Sequence, residues 1–224
     1  SDDPRRGLRL LVDLGLAHYT IPELESLHVP QDARYHIKDV QEHTFDAVAY
    51  APKDKLLRWT MLLHDIAKPV TVSVDERGIH FYRHEEIGAR TAHQILARLR
   101  QPADLCRRVA KLVRHHLRIT SYRSDWRQGA VRRLVYDLGE DLEAAIQVTL
   151  ADLRASRPDA AAEFAPRLAE LRSAIQELGE AAEFARMRPL LGGEEVMGLL
   201  NIPPGPQVGE VHRFLLEEQI EGRV

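Results

Sequence analysis

Histidine and aspartate residues recur along the chain in an arrangement that suits divalent metal ions. A His64-Asp65 doublet lies in an apolar run between Leu62 and Ile66. Burying an imidazole beside a carboxylate is costly unless the two groups pair or bind a cation. Imidazoles together with carboxylates are ligands that divalent transition metals accept, and different helices can supply them. The residues that can meet in this way are His43, His64, Asp65, His84, His115, His116 and Asp152.

The hydrophobic pattern predicts that helices carry most of these residues. Helices are expected over 6–16, 39–50, 54–67, 84–99, 103–117, 127–138 and 142–155. Pro69 is expected to end the helix that carries the doublet. The β-branched residues of 70–74, followed by the turn-forming stretch 75–78, predict a small hairpin that leads the chain to His84. Further helices are expected within 160–187, and the tail over 193–218 reads as a helix, a Pro/Gly turn and a helix.

Five stretches of the sequence carry a resemblance to a known family. The run His64-Asp65-Ile66-Ala67-Lys68 resembles the doublet of the HD-domain metal-dependent phosphohydrolase superfamily. The stretches that resemble the C-terminal HD region of bacterial tRNA nucleotidyltransferases, the CCA-adding and poly(A) polymerase family, are 40–44, 78–89, 129–133 and 189–211. The resemblance implies an all-α HD-domain helical bundle with one small β-hairpin and extra C-terminal helices. The implied parts are a neck-like segment at 1–30, an HD domain at 31–157 and a C-terminal helical body at 158–224.

The head that performs nucleotidyl transfer in that family has no counterpart in this sequence. The family's head carries a Gly-Ser pair and an Asp-x-Asp pair, and neither occurs here in that setting. We therefore expect the chain to be either a fragment of a longer nucleotidyltransferase or a stand-alone relative. In both cases nucleotide addition is not expected to be its own activity.

The resemblance also implies a role for each metal ligand, with Asp65 bridging two ions. The first ion would be held by His43, His64, Asp65 and Asp152, and the second by Asp65, His84, His115 and His116. Asp152 is preferred to the other nearby acids because it follows the apolar run 146–150, as the family's last aspartate does. The alternatives for this position are Asp137, Asp141 and Asp159.

Several cationic residues are candidates for contact with a substrate phosphate. By the resemblance, Lys68 approaches the phosphate and acts with Asp65 in catalysis; alternatively, it is a partner of the helix dipole. His36 lies seven residues before His43, about two helical turns, and can face the same pocket. Arg118, Arg132 and Arg133 are further candidates, because the guanidinium group suits bidentate phosphate contact. The alternative for each of them is a solvated surface charge.

The activity implied is hydrolysis of a phosphoester by a water that two metals activate. The implied substrate is a 2′,3′-cyclic phosphate or a 2′-phosphate on a nucleotide or an RNA 3′ end, with tRNA as a further candidate partner. Mostly imidazole ligands favour Mn²⁺, Ni²⁺, Co²⁺ or Fe²⁺ over Mg²⁺. Two other functions stay open: a non-catalytic, tRNA-binding structural body of a CCA-adding enzyme, and a nucleoside triphosphate hydrolase.

Composition limits the setting in which the protein works. The formal net charge of -3 over 224 residues gives no overall attraction to nucleic acid. Cys106 is the single cysteine, so no internal disulfide can form, which fits a reducing, cytoplasmic setting. The sequence contains no apolar stretch of transmembrane length, so no membrane partner is expected.

Overall fold

The computed structural model describes residues 2–31, 38–76, 78–178 and 188–224. Within these residues the chain is helical apart from one two-stranded hairpin, which confirms the predicted all-α fold. The contacts divide it into two compact units, Ser1–Ser121 with Glu143–Pro166, and Tyr122–Leu142 with Arg167–Val224. Residues 122–142 thus group with the C-terminal residues, although the sequence predicts them inside the HD domain. The three-part division stays a prediction.

The α-helices are numbered in chain order. They are α1 Arg5–Asp13, α2 Val40–Tyr50, α3 Lys55–Leu63, α4 Lys68–Thr71, α5 His84–Arg98, α6 Ala103–His115, α7 Gln128–Leu138, α8 Leu142–Ser156, α9 Ala160–Glu177, α10 Gly193–Leu200 and α11 Pro206–Ile220. Short 3₁₀ helices are Ala17–Tyr19, Pro22–Leu27 and Gly139–Asp141. No helix in the described ranges is both long enough and apolar enough to cross a membrane.

Aspartate caps set the starts of the two helices that lead into the site. The Asp39 carboxylate accepts a hydrogen bond of 2.8 Å from the backbone N–H of Glu42, at the start of α2. Asp54 likewise accepts one of 3.0 Å from the N–H of Leu57, at the start of α3. Such caps satisfy backbone donors that the first helical turn leaves without partners. The predicted starts of both helices are therefore confirmed.

The helix that carries the doublet ends earlier than the sequence predicts. Helix α3 stops at Leu63, and residues 64–67 form a turn before α4 begins. Pro69 lies in the first turn of α4, where the N–H that proline lacks would have no helical partner. The prediction that Pro69 ends the helix is wrong, because this proline helps to begin the next one.

The predicted hairpin is present, with shorter strands. Strand β1 is Val72–Asp75 and strand β2 is Gly78–Phe81, antiparallel, with Val72 opposite Phe81 and Asp75 opposite Gly78. Gly78 has a φ of 120°, a backbone conformation that other residues rarely adopt. Residues 70 and 71, which the sequence predicts in the strand, belong to α4. The hairpin delivers the chain to His84, the first residue of α5.

The core of the first unit brings together the helix ends that carry the site residues. Helices α5 and α6 pack against each other, and α3 packs against α2 and α6. Met61, Leu63 and Ile95 are fully buried in this core. A Cβ atom at Gly88 would lie 3.4 Å from Val113 and 3.6 Å from the carbonyl oxygen of His64. The N-terminal half of α5 thus lies within van der Waals distance of the residue that follows α3.

The second unit includes α7, α10 and α11. Helix α7 packs against α11, and α10 against α11. A Cβ atom at Gly129, the first residue of the 129–133 stretch noted in the sequence, would lie in ordinary van der Waals contact with Glu221, 3.4 Å from its Cα.

Candidate metal centre

Three side chains from three helices form a first group of potential metal ligands in the first unit. His43 comes from the beginning of α2, His64 is the residue that follows α3, and Asp152 comes from α8. His43 Nε2 lies 3.0 Å from Asp152 Oδ1 and 3.2 Å from His64 Nε2, and His64 Nε2 lies 3.8 Å from Asp152 Oδ1. We call these three residues the first triad.

Asp65, His84 and His116 form a second triad beside the first. His84 Nε2 lies 3.4 Å from His116 Nε2 and 3.5 Å from Asp65 Oδ1, and His116 Nε2 lies 3.9 Å from the same oxygen. The other oxygen of Asp65, Oδ2, lies 3.2 Å from His64 Nε2 and 3.7 Å from His43 Nε2. One carboxylate thus faces both triads, an oxygen to each.

Backbone carbonyls fix the orientation of three of the imidazoles. The Nδ1–H groups of His64, His84 and His116 donate to the carbonyl oxygens of Met61, Phe81 and Val113 at 2.7, 2.7 and 2.6 Å. A carbonyl cannot donate, so the proton of each neutral ring lies on Nδ1 and the lone pair lies on Nε2. In its neutral form each ring therefore presents Nε2 to its triad as an acceptor, in the tautomer that binds a metal.

The donor atoms fit metal ions better than they fit one another. A metal held about 2 Å from imidazole and carboxylate donors places those donors roughly 3–3.5 Å apart. The distances within the triads, 3.0 to 3.9 Å, lie in or slightly above that range. The lone pairs of His84 and His116 face each other at 3.4 Å, where no hydrogen bond can form between them when both are neutral. Asp65 Oδ2 is buried, and Lys68 Nζ at 2.8 Å and His64 Nε2 at 3.2 Å lie close to it.

The protonation states of the triads mostly suit metal binding. Burial opposes ionisation of Asp65, but His64 and Lys68 hold the pKa of its carboxyl well below the usual range. The pKa of Asp152 is lowered against burial by its hydrogen bond with His43. Burial, with the nearby His64, lowers the pKa of His116 to about 3, so this ring is neutral. Burial lowers the pKa of His64, but the neighbouring Asp65 carboxylate raises it above its usual value. A proton carried by His64 must therefore leave when a metal binds.

Lys68 lies beside the triads and is nearly buried. Its Nζ is 2.8 Å from Asp65 Oδ2, donates a hydrogen bond of 2.6 Å to Gln31 Oε1 and lies 5.1 Å from the centre of the Phe81 ring. Because α3 ends at Leu63, Lys68 is not in its last turn, and the alternative role as a partner of that helix dipole does not fit. Its ammonium group instead neutralises charge on Asp65.

A hollow of about 260 Å³ opens onto the triads, and we call it the site hollow. Its walls include Asp65, Lys68, His80, Phe81, His84 and Leu117. His80, Phe81 and Gln31 are residues near the chemistry that sequence reasoning did not select. The sequence does place His80 in the predicted hairpin, and alternation along strand β2 shows which residues share a face with it. It does not show which of the two faces of the hairpin meets the site.

His115 belongs to neither triad, whereas the sequence predicts it as a ligand of the second metal. Neighbouring residues on a helix point about 100° apart, and here it is His116 that points into the second triad. His116 is almost fully buried in the second triad. His115 instead lines a separate hollow, the outer hollow, together with Glu85, Arg114 and Arg118.

The other expected phosphate contacts lie in different places. Arg118 lines the outer hollow and not the site hollow. Arg132 and Arg133 belong to the second compact unit, where Arg133 pairs with Asp137 at 3.1 Å and lies 3.8 Å from Glu217. His36 lies outside the described residues. A phosphate-binding role for these four residues stays a prediction.

The acids that competed with Asp152 in the sequence lie elsewhere. Asp137 pairs with Arg133, Asp141 is buried in the 3₁₀ helix after α7, and Asp159 is exposed. Of the four, Asp152 is the one in a triad, 3.0 Å from His43. The apolar run before it was thus a useful signal, since it places one face of α8 in the core and Asp152 beside it.

Comparison with known proteins agrees with this geometry. The HD domain family matches residues 32–156. An A-adding tRNA nucleotidyltransferase of Deinococcus radiodurans is 38% identical across 100% of this chain and 52% of its own length. A CC-adding tRNA nucleotidyltransferase of Thermus thermophilus is 38% identical across 97% of this chain and 49% of its own length. A multifunctional CCA protein of Azoarcus is 40% identical across 49% of this chain.

The chain spans about half the length of the two tRNA nucleotidyltransferases that match nearly all of it. The family match contains both triads in full, from His43 to Asp152. This match covers more than half of the sequence, and it includes the His/Asp cluster that can hold divalent metal ions. The chain therefore belongs to the HD domain family.

Proposed function

We propose that this chain is a metal-dependent phosphohydrolase that opens 2′,3′-cyclic phosphates or removes 2′-phosphates from nucleotides or RNA ends. The observation that carries the proposal is the position of Asp65, whose two carboxylate oxygens each face a different triad. A carboxylate shared between two groups of ligands is what a pair of closely spaced ions needs. Paired ions of this kind serve phosphoester hydrolysis in many enzymes.

The donor set favours Mn²⁺, Ni²⁺, Co²⁺ or Fe²⁺ over Mg²⁺, because four imidazoles and two carboxylates converge there. One ion would be held by the first triad and one by the second, with Asp65 common to both. When bound, such ions supply Lewis acidity toward the phosphoryl group and a water that is acidic near neutral pH.

The protein's own side chains supply the remaining parts of the reaction. Lys68 places a positive charge in the wall of the site hollow, where it would balance the charge that develops on the phosphoryl oxygens. Phe81 and Leu117 line the same hollow and limit the access of water to it. The hollow, at about 260 Å³, is smaller than the ~300–1,000 Å³ typical of ligand pockets. That size favours a single phosphate over a nucleoside triphosphate.

The proposal is tested by hydrolysis of 2′,3′-cyclic AMP and of adenosine 2′-phosphate after reconstitution with Mn²⁺ or Ni²⁺. Asp65→Ala is expected to abolish turnover, because it removes a donor from both ions. Asp159→Asn, at an exposed aspartate outside the triads, is the matched control and should keep the wild-type rate. Wild-type turnover by Asp65→Ala, or none by the metal-loaded wild-type chain on either substrate, would refute the proposal.

We further propose that the substrate end belongs to RNA, with tRNA as the candidate partner and the cytoplasm as the setting. The support is that the similarity to the two tRNA nucleotidyltransferases continues beyond the HD residues to cover at least 97% of the chain. Removing Arg132 and Arg133 together should weaken RNA binding without changing metal content, and binding should weaken as salt rises. RNA affinity that ignores salt, or is unchanged in the double variant, would contradict this part.

A further inference from the structure

A pair of stacked rings lies at the rim of the site hollow. His80, on strand β2, lines the hollow together with Asp65 and His84. Its ring lies nearly parallel to that of Tyr82, with centroids 5.3 Å apart and an angle of 15° between the planes. His80 Nε2 is also 2.9 Å from Asp75 Oδ1, across the turn of the hairpin. Two contacts therefore hold the imidazole in one orientation.

These rings are accessible to a ligand. The side chain of His80 is 22% exposed, and Tyr82 is 64% exposed. The two rings therefore present flat surface to solvent, on which another flat group can stack. Nucleobases stack on histidine and tyrosine rings in this way, largely without regard to sequence.

The dimensions of the site hollow place a base at this rim. A volume of about 260 Å³ has room for a phosphate and its sugar against the triads and Lys68. The base of such a nucleotide must then lie at the edge of the hollow. His80 is a wall residue that is partly exposed and carries a flat ring. His84 and His116 are buried in the second triad, and the ring of Phe81 already lies against Lys68 and edge-on to His84.

We propose that His80, held by Tyr82 and Asp75, stacks on the base of the nucleotide whose phosphate lies at the triads. The site thereby selects nucleotides and RNA ends over phosphoesters without a base. This inference rests on the proposed phosphohydrolase function and specifies its substrate class. His80 is a substrate-binding residue in this account and takes no part in the bond-breaking step.

The test compares 2′,3′-cyclic AMP with glycerol 1,2-cyclic phosphate, which carries no base. His80→Ala is expected to raise KM for the nucleotide about tenfold, within the range that one base–aromatic stack contributes. Its kcat, and its kinetics on the glycerol compound, should stay at wild-type values. His80→Phe keeps a flat ring but cannot pair with Asp75, and it should restore a near wild-type KM, which a hydrogen-bonding role of the imidazole would not allow.

The matched control is His18→Ala. His18 also contacts a neighbouring tyrosine, Tyr19, but the rings are edge-on at 85° and His18 does not line the site hollow. This variant should leave both substrates unaffected. An unchanged nucleotide KM in His80→Ala, or an equal rise for both substrates, overturns the inference.

Equilibrium binding separates the inference from the proposed hydrolysis. The wild-type chain loaded with Mn²⁺ should bind adenosine 2′-phosphate more tightly than glycerol 2-phosphate, and His80→Ala should remove that difference. If neither cyclic phosphate is hydrolysed but this His80-dependent preference is found, hydrolysis fails and base stacking stands. If the preference is missing or independent of His80, base stacking fails whatever the turnover.

Discussion

Two neighbouring histidines at the end of α6 allow a sharp test of the second triad. His116→Ala removes one of its three donors, whereas His115→Ala removes a ring that lines the outer hollow. Loss of even an outer partner of a metal ligand costs roughly 10–100-fold in metal affinity. We therefore expect His116→Ala to weaken the second ion by at least about 100-fold, which corresponds to about 2.8 kcal/mol. The first triad does not include His116 and should keep its ion.

The assay is elemental analysis after reconstitution with Mn²⁺ and removal of unbound metal, supported by titration calorimetry. The wild-type chain and His115→Ala should each carry close to two ions, and His116→Ala close to one. Because His116 is buried and His115 is half-buried, circular dichroism of both metal-free variants is measured as well, so that a loss of folding is told apart from the loss of a ligand. The reasoning is refuted if His115→Ala loses an ion while His116→Ala keeps two, or if the wild-type chain binds none.

Three further predictions concern the stability of the metal-free protein, measured by urea unfolding in the presence of a chelator. Asp39→Ala removes the cap of α2 and should lower the free energy of unfolding by about 1 kcal/mol; an unchanged midpoint would contradict the cap. Leu63→Ala, at a fully buried position, should lower it by about 2–5 kcal/mol, and a loss well under 1 kcal/mol would show that the core is packed differently. The pKa of His116 is about 3 when folded, against 6.5 for the free side chain, so only the unfolded chain gains this proton between those values. The free energy of unfolding should therefore fall as the pH drops from 6.5 towards 3, and it should fall less in His116→Asn. If it falls equally with pH in both proteins, His116 is not the source of the pH dependence.

Local signals in the sequence predict most of the helices, because the residues that begin and end helices act over a few positions. Asp39 and Asp54 mark the starts of α2 and α3, and α1 ends just before Gly15, which has a φ of 68°. Pro69 misled the prediction because proline is compatible both with the residue after a helix and with the first turn of the next one. The position that Pro69 takes depends on whether a turn forms over residues 64–67, and packing against distant parts of the chain decides that.

The site was predicted less completely than the helices, since its assembly depends on contacts far apart in sequence. Spacing and residue type selected all six members of the two triads, but they could not separate His115 from His116. That choice depends on the direction in which the end of α6 faces its neighbours. His80 was missed because nothing local shows which face of a two-stranded hairpin meets a helix end. The grouping of residues 122–142 with the C-terminal segment likewise depends on long-range contacts.

The contacts between imidazoles and backbone carbonyls give two of the triad histidines a role in folding that does not depend on a metal. His64 and His116 each occupy the residue that follows the end of a helix, and each donates to a carbonyl three residues earlier. These rings therefore act as helix C-caps as well as members of the triads. Replacing either one leaves a buried carbonyl without its donor even when no metal is bound. Selection for folding alone would then conserve part of the ligand set, so a relative can keep these histidines long after it has ceased to need a metal.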